Sequence, residues 1–152
     1  MKKLILLTLA ISLVSGTIVV AQEHWTDGPV WGCGSYRTKP GQFNNYMKWL
    51  RSNYLATNTE AKTQGLILDS KVLLRVPSSP DDWDILICTL HENHAKALDY
   101  NAEDEEAWDA IQSAHWKTDV DEEIREMAAK RFEMRTFLGY RFQQEVTLKP
   151  MD

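Results

Sequence analysis

Two histidines flank a carboxylate in the short motif His91-Glu92-Asn93-His94. Imidazole and carboxylate groups serve as metal ligands and as general bases, so this spacing is a candidate for either role. Alternation along an extended strand sends neighbouring side chains in different directions, and no third ligand is evident beside the motif. We therefore predict no metal site, and we take His91 as the first candidate for a catalytic base or haem ligand. A hydrogen-bonded structural histidine is the alternative.

An apolar strand face leads up to His91. Alternation along the predicted third strand places Trp83, Ile85 and Ile87 on the same face as His91. A largely apolar surface with a polar group at its end is typical of a small-molecule pocket. We therefore assign these side chains, together with His94, to a candidate ligand pocket.

Tyr36 and Arg37 end the first predicted strand and are a second source of pocket residues. An arginine there can clamp a carboxylate, and a tyrosine can orient a phenol or a quinone. Adjacent strand residues point to opposite faces, so only one of the pair can enter a given pocket. The alternative interpretation is a packed Tyr36 and a solvated Arg37.

Cys33 and Cys88 are the only cysteines in the chain. In an oxidising compartment two thiols can pair as a disulfide. Each cysteine also lies inside a predicted strand, where a buried and unpaired thiol packs as a small apolar side chain. The sequence leaves both alternatives open.

Several common reaction classes lack their motifs in this sequence. It contains neither a CxxC pair nor a set of Cys and His ligands, which argues against thiol redox chemistry and a structural zinc site. The GxSxG, Walker and dinucleotide motifs are also missing, which argues against the commonest hydrolases, nucleotide-binding proteins and nicotinamide enzymes. No cofactor is predicted. Cofactor-independent oxygenation or isomerisation stays open, because it needs only an apolar pocket and one or two polar groups.

The first 21 residues have the pattern of a secretory signal peptide: Lys2 and Lys3, an apolar run over 4–14, and a small-residue end at Ala21. A membrane anchor is the alternative. Cleavage leaves residues 22–152 as one domain, periplasmic or secreted, with no membrane association afterwards. Loss of the two lysines takes the formal net charge from −5 to −7. That acidic balance argues against nucleic acid as a partner.

Hydrophobic periodicity predicts an α+β domain with an antiparallel sheet. Residues 22–29 are predicted to be an irregular lead-in, and Gly65 and Gly139 are predicted to end helices. The predicted strands are 30–38, 66–76, 83–91 and 140–149; the predicted helices are 43–64, 94–100, 102–116 and 119–138. Taken as one interrupted helical region, the last three helices complete the ferredoxin-like order βαββαβ.

Two features of the predicted sheet concern what packs on it. Gly32 and Gly34 lie on one face of the first strand and allow a helix or a ligand to approach the backbone closely. The third strand is apolar on both faces, and a single helix layer can cover only one of them. The uncovered apolar face predicts that two copies pack face to face as a homodimer.

Three segments resemble the dimeric α/β-barrel superfamily, in particular its exported bacterial members without an assigned activity. They are VWGCGSYRTKPGQFNNYMKWL, EAKTQGLILDSKVLL and PSSPDDWDILICTLHENHAKALD, which together span residues 30–100. The resemblance implies a barrel closed by the sheets of two protomers, with a small-molecule pocket between each sheet and its helices.

Members of this superfamily include haem-degrading and quinone-forming monooxygenases, muconolactone isomerases and dye-decolourising peroxidases. The Asn, Trp and His set of the haem-degrading branch does not align here motif by motif, and the peroxidase motif around an axial histidine is missing. Haem therefore has no motif in its support. The sequence predicts an exported homodimer that binds a small apolar or aromatic molecule. The alternatives are a monooxygenase, cofactor-independent or haem-using, and a structural homodimer whose pocket is filled by its own Trp and Tyr side chains.

Overall fold

The computed structural model describes residues 24–151. The predicted signal peptide at 1–21 lies outside the described residues. Within the described part of the chain, no helix is both long enough and apolar enough to cross a membrane.

The chain folds into an α+β domain with a four-stranded antiparallel sheet of order β2-β3-β1-β4. This arrangement is compatible with a ferredoxin-like fold. The strands are β1 (Trp25–Thr38), β2 (Asp69–Leu74), β3 (Ile85–His91) and β4 (Arg135–Leu148). The helices are α1 (Phe43–Trp49), α2 (Leu55–Thr63), α3 (His94–Leu98), α4 (Ala102–Trp116), α5 (Asp121–Ala129) and α6 (Arg131–Met134).

The predicted helix over 43–64 contains a π turn at Leu50–Tyr54, between α1 and α2. Its aromatic stripe packs onto the sheet, as the periodicity of the segment indicates. Tyr46 and Leu50 form the main core with Ile85 of β3, and all three are at most 3% exposed. A second cluster joins α2 to α4 through Ala61, Ile67 and Ile111. The helix layer is therefore anchored mainly over β2 and β3.

The predicted lead-in at 22–29 is wrong in part, because β1 already begins at Trp25. Residues on both sides of Gly28-Pro29 pair with β4, and the register shifts between Asp27 and Val30. A bulge at this point accommodates a proline that cannot donate to the ladder. The Gly28-Pro29 pair therefore causes a bulge within β1 and does not end the strand. β2 is also shorter than predicted, since it spans only Asp69–Leu74 of the expected 66–76.

The predicted helix over 119–138 is wrong in its last turn. Helix α6 ends at Met134, and β4 begins at Arg135, where it pairs with Thr38 of β1. Thr136 and Phe137 have high β propensity, and pairing with the end of β1 outweighs the local helical pattern. Gly139, predicted to end the helix, lies inside β4 next to a second register shift.

Cys33 and Cys88 lie directly opposite each other in the β1–β3 pairing and form a disulfide. Both are nearly buried, with at most 5% exposure. They lie on the sheet face opposite to Ile85 and the helix layer, here called the open face. The structure thus contains the first of the two alternatives that the sequence left open.

Candidate functional site

Two glycines at alternate positions, Gly32 and Gly34, lie on the helix-facing side of β1. A Cβ atom at Gly32 would lie 2.2 Å from Tyr140 Oη, and one at Gly34 would lie 2.5 Å from Tyr36 Oη. The absence of side chains therefore lets aromatic rings lie directly over the sheet. The sequence predicted close approach at these glycines by a helix or a ligand, and the structure fills the space with tyrosines.

A register shift in β4 places further aromatic rings on this face of the sheet. Gly34 pairs with Tyr140, while Tyr36 pairs with Phe137. Because Gly34 and Tyr36 share a face of β1, Phe137 and Tyr140 share a face of β4 although they are three residues apart. Without the extra residue, strict alternation would place them on opposite faces. The ring centroids of Tyr36 and Phe137 are 5.6 Å apart.

Arg135, the first residue of β4, lies between two of these tyrosines. Its Cζ is 3.6 Å from the Tyr36 ring centroid and 5.1 Å from that of Tyr46. Its Nη1 also donates a hydrogen bond to Tyr46 Oη. Burial raises the pKa of Tyr46 far above the ordinary tyrosine value, although Arg135 opposes the shift. Tyr46 therefore accepts from Arg135 as a neutral phenol.

Arg131 of α6 is the second cation near these tyrosines. Its Cζ lies 5.0 Å from the Phe132 ring centroid and 5.9 Å from that of Trp49. Burial, together with the charge of Arg135, lowers the pKa of Arg131. The Nε atoms of both arginines are buried and have no hydrogen-bond acceptor.

We use the name aromatic–arginine cluster for the set that shares this face of the sheet: Tyr36, Tyr46, Phe137, Tyr140, Phe142, Arg131 and Arg135. Tyr140 and Phe142 pack edge to face with ring centroids 5.2 Å apart. Burial raises the pKa of Tyr140, and the nearby Tyr36 and Tyr54 add to the effect. Burial therefore favours the neutral phenol at both Tyr46 and Tyr140.

Asp84 fixes the end of β1 that carries this cluster. It is 8% exposed, and its carboxylate accepts hydrogen bonds from the Thr38 backbone N–H, at 2.9 Å, and from the Thr38 hydroxyl. The Asp84 N–H in turn donates to the Tyr36 carbonyl oxygen at 3.1 Å. These bonds connect Asp84, the residue before β3, to the end of β1. They hold the Tyr36 backbone in place.

Of the paired candidates Tyr36 and Arg37, only Tyr36 belongs to the cluster. Arg37 points to the open face, and its Nη1 donates to the Asp82 carbonyl oxygen at 3.3 Å. The two side chains thus lie on opposite faces of β1, as strand alternation requires, and the role of either in a pocket stays a prediction. The guanidinium beside Tyr36 comes from Arg135, which the sequence analysis did not select.

Trp83, Ile85 and Ile87 do not line one pocket as predicted. Ile85 is fully buried in the main core, and Ile87 packs against that core. Trp83 precedes β3 and lines a cavity of about 360 Å³ that also includes Cys33 and Leu86, which belong to the open face. Trp83 can lie apart from Ile85 and Ile87 because strand alternation does not extend to residues before the first paired position, Ile85.

His91 and His94 lie in different surroundings. His91 ends β3 and lines a cavity of about 390 Å³ together with Tyr100 and Trp108. Its Nδ1 atom is buried without a partner, and burial lowers the pKa of His91. His94 begins α3 and packs edge-on against Phe142, with ring centroids 6.5 Å apart. Of the two, only His94 contacts the aromatic–arginine cluster.

Across residues 24–151, no group of three or more His, Cys, Asp or Glu side chains is positioned to hold an ion. The cluster itself combines aromatic rings, phenol hydroxyls and guanidinium groups. Such groups bind flat apolar molecules and anions.

The sequence did contain a signal for the arginines that the analysis missed. Arg131 and Arg135 are four residues apart, with Phe132 between them. The sequence analysis placed both in the predicted helix 119–138 and assigned neither a role. The helix-to-strand transition at Arg135 places this residue against Tyr36 and Tyr46, whereas Arg131 stays in α6 beside Trp49 and Phe132.

Comparison with known proteins does not identify a family for this chain. No protein-family model, curated protein or solved structure matches the chain. Any assignment of function consequently depends on the chemistry of the site.

Proposed function

We propose that this protein is an exported small-molecule-binding protein of the dimeric α/β-barrel type, whose apolar or aromatic ligand lies on the aromatic–arginine cluster. The observation that carries the proposal is the exposure of neighbouring rings: Phe137 is 56% exposed, Tyr140 49% and Phe142 37%. Adjacent exposed aromatic side chains in a folded domain are typical of a binding surface. The sheet order and the one-sided helix layer support the ferredoxin-like assignment. The disulfide supports export.

We also propose that two copies pair through the open face. Leu86 and Leu90 are only half-buried there, and Leu73 is 47% exposed. Pairing would remove these side chains from water. We expect native mass spectrometry of residues 22–152 at micromolar concentration to give the dimer mass, and Leu86→Arg to give the monomer. A monomer for the unaltered chain would contradict this interface.

Each alternative function has one observation in its favour. For a monooxygenase with His91 as base, that observation is the buried, unpartnered Nδ1 beside a cavity. For a structural homodimer filled by its own aromatic rings, it is the packing of Tyr36 and Tyr140 over the two glycines. Binding on the cluster is the stronger proposal, because the rings of β4 stay substantially exposed after that packing.

The test uses N-phenyl-1-naphthylamine, a neutral aromatic fluorophore, as the probe. We expect it to bind, and we expect Tyr140→Ala to weaken binding about threefold to tenfold, because one aromatic contact contributes roughly 0.5–1.5 kcal/mol. Titration by fluorescence measures both affinities. The matched control is Tyr100→Ala, which removes an 80% exposed tyrosine at the His91 cavity.

The pair of variants separates the proposals. If Tyr100→Ala weakens binding of the probe and Tyr140→Ala does not, the ligand site would be the His91 cavity. That result would favour the oxygenase alternative. No binding by the unaltered protein would favour the structural homodimer.

A further inference from the structure

Arg131 and Arg135 form an unusual pair, because they are neighbouring cations without an acidic partner. Every ion pair recorded within residues 24–151 involves other side chains, and neither arginine contacts a carboxylate there. Both are partly buried, and each has an Nε atom that no acceptor reaches. The Arg135 side chain donates one hydrogen bond, to Tyr46, and the Arg131 side chain donates none within that part of the chain.

Without a bound ligand, this arrangement lowers the stability of the folded protein. Partly buried charges are normally paired with a charge of opposite sign, and two like charges close together repel each other. Burial, and after it the nearby charge of Arg135, lowers the pKa of Arg131. A bound anion would relieve both costs, because it would supply acceptors to the terminal Nη groups of Arg131, which have none within residues 24–151, and would compensate the charge.

The surroundings of the arginines indicate which kind of anion fits. Arg135 is stacked on the Tyr36 ring, and Arg131 lies beside Phe132 and Trp49. Guanidinium groups held against flat rings present their N–H edges, and such an edge matches the two coplanar oxygens of a carboxylate. Phe137 and Tyr140 continue the same surface along β4 and suit an aromatic body attached to that group.

We propose that the ligand of this site is an aromatic or apolar carboxylic acid, whose carboxylate is bound by Arg131 and Arg135 while its ring lies against Phe137 and Tyr140. This inference depends on the proposed small-molecule function and adds the charge and shape of the ligand. It also assigns a binding role to Arg131, whose side chain makes no hydrogen bond within the described residues.

The experiment compares 2-naphthoate with 2-naphthamide, which has the same ring and no charge. We expect isothermal titration calorimetry to give at least about tenfold tighter binding of 2-naphthoate, the size expected for a charge-assisted hydrogen bond. Arg131→Gln should remove most of this preference while leaving the affinity for 2-naphthamide nearly unchanged. Arg131→Lys should keep part of it. Arg51→Gln, which removes an exposed arginine of the π turn between α1 and α2, is the matched control and should keep all of it.

The outcomes distinguish the inference from the function on which it depends. Equal binding of the two compounds would overturn the carboxylate assignment and leave the aromatic-binding proposal intact. Unchanged preference in a folded Arg131→Gln variant would overturn the role of Arg131. Tighter binding of 2-naphthyl phosphate than of 2-naphthoate would overturn the choice of carboxylate. Binding of neither naphthoate nor naphthamide would overturn both proposals.

Discussion

Replacing both Cys33 and Cys88 with alanine is expected to lower the free energy of unfolding by about 4 kcal/mol. The bond joins residues 55 positions apart, and closing a loop of that length removes much of the conformational freedom of the unfolded chain. The loop contains α1, α2, β2 and most of β3, so the cross-link restrains the elements that form the main core. Urea unfolding followed by far-UV circular dichroism measures the loss.

Two comparisons isolate the cross-link from the side chains that form it. The single variant Cys33→Ala should lose nearly as much stability as the double variant, because either change breaks the bond. The unaltered protein in reductant should lose a similar amount. A loss below about 1 kcal/mol in all three would mean that the disulfide does not constrain the unfolded chain as expected.

The elements with strong local patterns could be predicted from the sequence. Helix α4 has the predicted bounds of 102–116, since Asn101 caps its first turn and its apolar residues recur at helical spacing. Alternation in 66–76 and 83–91, together with the turn residues at 77–82 between them, also predicts the antiparallel pair that β2 and β3 form. In these segments, the information that decides the structure lies within a few residues.

The candidate site could be predicted only in part, because its residues are brought together by pairing over long distances in the sequence. Tyr36 was selected, but its partner Arg135 lies 99 residues later, in a segment whose local pattern is helical. The face that Phe137 occupies depends on a register shift in β4, and no local pattern specifies that shift. For the same reason the sequence could not decide whether Cys33 lies opposite Cys88.

The substitution Tyr46→Ala is expected to lower the free energy of unfolding by about 4 kcal/mol, the usual range for deleting a large buried ring. Tyr46 is fully buried and contacts the Leu50 and Ile85 side chains of the main core. Tyr46→Phe is the matched control, because it keeps the ring and removes only the acceptor of the Arg135 hydrogen bond. We expect this control to lose about 1–2 kcal/mol, measured by the same urea titration.

The pH dependence of stability, compared between the unaltered protein and Tyr46→Phe, tests whether the Tyr46 hydroxyl is as buried as the structure indicates. Burial raises the pKa of Tyr46 in the folded state, so its contribution to stability is complete below the unfolded value of about 10 and is lost as the pH rises. Tyr46→Phe lacks this group but keeps Tyr54 and Tyr140. The stability difference between the unaltered protein and Tyr46→Phe should therefore shrink between about pH 9 and pH 11. A constant difference would mean that the phenol ionises as easily in the folded state as in the unfolded one. Arg135 would then bind a phenolate at high pH, and a strong interaction with that anion would offset the cost of its burial.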